Sequence, residues 1–177
     1  MVTTPKGAAA PEFPRPVRVD DLDEDEAREI VLSATEDERR ALVARFGLFD
    51  LARLEARCVL RRSGETVRAE LSLSAEVVQS CVVTLDPVPA RIEETVAVAF
   101  AAAARRLERA VDIDVDADDP PEPIIGNAIE LGEAISEAFG LALDPYPRSP
   151  GAAFDGWSDQ GGGGRENPFS VLARLKR

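Results

Sequence analysis

Two cysteines, a row of aspartates and a run of arginines are the residues of this 177-residue chain best suited to chemistry. There is no histidine. That removes Ser-His and Cys-His nucleophiles, histidine-ligated metals and the commonest general base. Carboxylate chemistry remains open. Asp112, Asp114 and Asp116 alternate with Ile113 and Val115, so a strand would place all three on one side, about 7 Å apart. With a divalent cation they could serve an RNA-processing enzyme. The same run begins like a calcium loop and then fails. Ala117 stands where an EF-hand needs Gly, and Pro123 where it needs Glu. The expectation is no metal, no cofactor and no catalysis.

Cys58 falls on the apolar side of an alternating segment and is expected to pack. Cys81 has no His, Lys or Arg within several residues to lower its pKa, so an inert thiol is expected over a reactive one. Arg53, Arg57, Arg61 and Arg62, with Arg68 across a turn, form a basic stripe. It could grip phosphate or an acidic surface. The plainer reading is pairing with Glu55, Glu70 and Glu76. No aromatic residue sits among these arginines to stack a base.

The elements that must position these groups follow from periodicity. Val17–Val19 and Ala27–Leu32 read as short strands, with six acids in Asp20–Glu26 between them as a solvated loop. Thr35-Glu36-Asp37-Glu38 is a capping box opening a 35–46 helix, and Gly47 stops it. Leu54–Leu60 and Val67–Val77 alternate about a turn at Arg62–Glu65, which predicts a hairpin. The alternation slips near Val77-Val78, predicting a bulge. Asp86-Pro87 marks the next turn, and Ile92, Glu94, Val96, Val98 and Phe100 give one face of a third long strand. Asn127 is expected to cap a helix reaching Leu143, which Pro145 ends. The predicted fold is α+β: a twisted antiparallel sheet, as a meander or partly open barrel, covered by two helices.

Residues 1–14 read as a disordered leader, 15–147 as one domain and 148–166 as a Gly-rich linker spanning roughly 25 Å. A short amphipathic helix is predicted over 167–177. Asn167 and Pro168 suit its start, and Phe169, Leu172 and Leu175 share one side. A helix of that length is marginal alone in water. It would dock on its own domain or on a partner.

Net charge is −12. Nucleic-acid binders usually carry the opposite sign, so a basic protein is the expected partner and direct RNA contact is disfavoured. No run of 18 apolar residues exists and the first residues lack the apolar core of a secretory signal, so a cytoplasmic protein without membrane contact is expected.

Three stretches, in order, resemble the YceD-like family of large-subunit ribosomal RNA accumulation proteins. They are Ser80–Val88, with Cys81, Leu85, Asp86 and Pro87; Ile129–Glu133 running into Leu141–Pro145, with Leu131, Glu133 and Pro145; and Asn167–Leu175. The resemblance spans roughly residues 15–177. Thr84 stands where many members have a second cysteine, so no zinc site carries over. Thr84 together with Pro145–Arg148 resembles the alphaproteobacterial branch. The resemblance implies a role in synthesis, processing or stability of large-subunit (23S) ribosomal RNA, and no active site. A basic ribosomal protein, assembly factor or pre-ribosomal particle is the implied partner. An adaptor unrelated to ribosomes is the remaining alternative.

Overall fold

The computed structural model describes residues 11–102 and 120–153. In chain order these form β1 (Pro16–Arg18), β2 (Ala27–Ser33), α1 (Glu36–Phe46), β3 (Asp50–Ser63), β4 (Thr66–Ser80), β5 (Pro87–Ala102), β6 (Glu122–Ile124), β7 (Ala128–Glu130) and α2 (Leu131–Ala142). A five-stranded sheet runs in the order β2-β3-β4-β5-β6, and β1 pairs separately with β7. All neighbours in the large sheet are antiparallel except β5 and β6, which are parallel. The sheet is an open meander, as the alternation predicts, and not a closed barrel.

Alternation sorts each long strand into two faces. Leu54, Ala56, Cys58 and Leu60 of β3 point inward beside Leu71 and Leu73 of β4. Leu42 from α1 and Ile135 and Phe139 from α2 complete the same core, so both helices cover one face. Phe46 meets Phe139 edge to face, ring centroids 5.5 Å apart. The other face is open and polar. The predicted irregularity is present, but on the partner strand: Leu51 pairs with Val77 and Arg53 with Glu76, leaving Ala52 as the extra residue in β3.

The capping box closes α1 as predicted. Glu38 N–H donates to Thr35 Oγ1 at 3.4 Å, and Thr35 N–H donates to Glu38 Oε2 at 2.8 Å. Gly47 follows in the left-handed conformation at φ 64°. The start of α2 differs from expectation. Asn127 does not cap a helix; it sits at φ 63° in the turn before β7, and its amide donates to Asp20. Residues 128–130 are drawn into a strand by pairing with β1, so the helix begins only at Leu131. Sheet pairing here outweighs local helix signals.

Phe13 falls in the predicted leader, yet it is a core residue, 1% exposed. Leu131 N–H donates to Arg15 O, which ties this segment to α2. A Cβ on Gly132 would stand 1.5 Å from the Phe13 carbonyl oxygen, so the crossing admits no side chain at that position.

Candidate functional site

The arginines of the open face have three different fates. Arg57 binds Glu29 of β2 through two hydrogen bonds, 2.7 and 2.6 Å. Arg53 pairs with Glu55 two residues on, and Arg91 with Glu76 at 2.7 Å. The arginines hold the Glu29 and Glu55 carboxyls below their ordinary range. Arg53 and Arg57 are thus already neutralised, but of the expected partners only Glu55 pairs with a stripe arginine, and along its own strand; Arg57 takes Glu29 on β2 and Glu76 takes Arg91. Arg62 turns away from the stripe. Its guanidinium donates to the carbonyls of Val19, Leu22 and Gly64, pinning the acidic Asp20–Glu26 loop to the hairpin. Arg61 faces Arg68 in register, and neither has an ion pair among the described residues. Such like-charge neighbours cost stability.

The richest local geometry lies at the other end of the sheet, where β4 turns into β5. Cys81 N–H donates to Asp86 O at 2.8 Å, and Leu85 N–H to Cys81 O at 2.9 Å. The Cys81 sulfur accepts from Thr84 N–H and from Ser149 N–H, both at 3.4 Å. Val82 N–H donates to Pro147 O at 2.9 Å, so the turn is stitched to the segment after α2. Asp86 N–H adds a bond to Thr84 Oγ1 at 3.4 Å.

These donors act on the thiol. The Thr84 hydroxyl leads, with the backbone N–H groups of Ser149, Thr84 and Val83, and together they lower Cys81 from 9.0 to about 6 despite burial. The lowering comes from hydrogen-bond donors and not from a Lys or Arg, a source that the sequence reading did not weigh. Cys81 is nonetheless sealed, 0% exposed, and its sulfur serves as a hydrogen-bond hub. Cys58 behaves as expected for a packed thiol, with burial pushing it up to about 11.

The turn presents Leu85 outward at φ 63°. Asp25 and Asn127 share that conformation, but they are residue types that tolerate it. Leu85 is 71% exposed, and Val82 and Tyr146 are exposed beside it. Sequence reasoning missed Ser149 and Val82 as members of this cluster. The signals were the Ser80–Val88 motif and the resemblance that coupled Thr84 with Pro145–Arg148.

The second motif serves the architecture. Leu131 is buried, and Glu133 receives Arg45 through two hydrogen bonds, 2.7 and 3.1 Å. Pro145 is exposed after α2. Asn167, Pro168, Phe169, Leu172 and Leu175 lie outside the described residues, as do Asp112, Asp114 and Asp116 and most of the predicted linker. Among the described residues no group of three His, Cys, Asp or Glu is placed to hold a metal ion, and no helix is long and apolar enough to cross a membrane.

Residues 69–176 match the family described as "Large ribosomal RNA subunit accumulation protein YceD". The chain belongs to the YceD family. The family name associates this chain with accumulation of large-subunit ribosomal RNA. The match is narrower than the 15–177 resemblance. It begins inside β4, so the YceD region holds the Cys81 turn, β5 and α2, while α1 and the paired arginines of β3 precede it. No curated protein and no solved structure matches the chain.

Proposed function

We propose that this YceD-family chain is a non-catalytic cytoplasmic factor that supports synthesis, processing or stability of 23S ribosomal RNA through contact with a basic ribosomal protein or assembly factor. The observation that carries the reading is the family match over residues 69–176. Charge decides the form of the contact. A net charge of −12 repels phosphate, and Arg53 and Arg57 are already engaged by Glu55 and Glu29. Ribosomal proteins are basic and meet an acidic surface favourably.

The experiment is affinity capture of the tagged chain from cells, with RNA and proteins both identified, beside depletion of the chain with 23S RNA quantified. Enriched large-subunit proteins together with a fall in 23S RNA support the reading. Steeply salt-dependent binding to purified, protein-free 23S RNA, abolished by the triple substitution Arg53, Arg57, Arg61→Glu, would replace protein contact with direct RNA contact. Unchanged 23S levels on depletion would leave an adaptor unrelated to ribosomes.

A further inference from the structure

We infer that the Cys81–Asp86 turn is a docking knob whose tip, Leu85, inserts into a basic, apolar segment of a ribosomal protein; this rests on the protein-contact reading above.

Two features of Leu85 are unfavourable for stability, and a third keeps them in place. A branched apolar side chain is held in water, 71% exposed. It occupies the left-handed region at φ 63°, where Gly would fit without strain. The turn is also wired so that it cannot relax: Cys81, Leu85, Thr84, Val82 and Ser149 each donate a backbone N–H within it or across it. An exposed, strained apolar residue on a rigid mount has no part in the core. Strain held by an over-determined surround points to function at that place. Rigidity also limits the entropy lost on binding.

The knob does not stand alone. Val82 is 47% exposed, and its N–H bonds Pro147, whose neighbour Tyr146 is 72% exposed. Tyr146 is itself fixed, its N–H donating to Asp144 Oδ1 at 2.9 Å. Apolar surface gathered this way marks a protein contact.

Charge selects the occupant. Asp86 and Asp144 are exposed within this cluster, and Arg148 is the one exposed cation in the adjoining 144–149 segment. A second copy would bring the same carboxylates and a net charge of −12. Anionic lipid and RNA phosphate are repelled in the same way. A segment with Lys and Arg flanking apolar side chains satisfies both the knob and its rim.

The test measures binding of the full-length chain to purified large-subunit ribosomal proteins, one at a time, with Leu85→Gly and Asp86→Asn beside the wild type. Leu85→Gly removes the side chain and the backbone strain together. The expected result is a thermal midpoint unchanged or raised, with affinity for the bound protein weakened about tenfold or more. Asp86→Asn weakens it less, and the difference shrinks at high salt. If the wild type binds and Leu85→Gly binds equally well, the knob is overturned while the protein-contact reading stands. If Leu85→Gly lowers the thermal midpoint, Leu85 is held by its own chain and the knob is overturned. If the wild type binds none of the proteins, the knob is overturned, and the protein-contact reading narrows to an assembly factor.

Discussion

Replacing Glu38 by Gln removes the α1 carboxylate that holds Arg15 of the segment before β1. Its oxygens accept from Arg15 Nη1 at 2.6 Å and Nη2 at 2.9 Å, and from Thr35 N–H and Oγ1 at 2.8 and 3.0 Å. Arg15, first, and the Thr35 donors overcome burial and hold the Glu38 carboxyl at about 2, against an ordinary 4.5. At about 1.4 kcal/mol per pH unit, that separation is worth about 3 kcal/mol at neutral pH. Partial solvent screening reduces this to about 2 kcal/mol. The sign follows from the lowered pKa. The stabilisation is complete above 4.5 and is lost as pH falls toward about 2. Urea unfolding of wild type and Glu38→Gln gives the difference. A deficit of about 2 kcal/mol at neutral pH should shrink to less than half of that by about pH 3. A deficit equal at both pH values would mean that Gln disturbs packing and that ionisation of Glu38 contributes nothing.

Gly132→Ala forces the Phe13 carbonyl away from α2, since the new Cβ would lie 1.5 Å from it. The cost should approach that of losing a buried Phe, about 3–5 kcal/mol, with Phe13→Ala comparable and the double variant far from additive in denaturant unfolding. Phe139→Ala opens the core under both helices and should cost about 3–5 kcal/mol by the same measurement. The Cys81 thiolate should appear in ultraviolet absorbance with a midpoint at about 6, well below Cys58 at about 11. Thr84→Val should move that midpoint upward; an unmoved midpoint refutes the assignment of the leading donor. Because folding lowers this pKa, its contribution to stability is complete above 9.0 and is lost as pH falls through about 6. Alkylation of Cys81 should still be slow in the native state and fast on unfolding, because the sulfur is sealed.

Local rules predict what local rules build. The alternation of Leu54 to Leu60 and of Val67 to Val77 specifies both faces of the hairpin, and Thr35 and Glu38 specify the start of α1. Where the partner is distant, the sequence is silent. Asn127 reads as a cap, but β1 pairs with residues 128–130 and claims them as strand. Phe13 reads as leader because its seat is assembled by α2, far along the chain. The Cys81 turn is opaque for another reason. Its sulfur is served by backbone N–H groups, one of them from Ser149, and every non-proline residue carries such a donor. The left-handed Leu85 has no sequence signature at all, since the residue types that favour that conformation are Gly, Asn and Asp.

The crossing of Phe13 beneath Gly132 sets an order of events during synthesis. The hairpins β3–β4 and β4–β5 pair neighbours along the chain and can form as soon as they emerge. Phe13 must wait until α2 has been made, about 120 residues later, roughly 6–24 s at ordinary rates of translation. For that interval a large apolar side chain near the beginning of the protein has nowhere to go. The nascent chain therefore passes through a stage in which the meander exists, one face of it is covered by α1 alone and the Phe13 clasp hangs free, a stage well matched to capture by a chaperone at the ribosome exit.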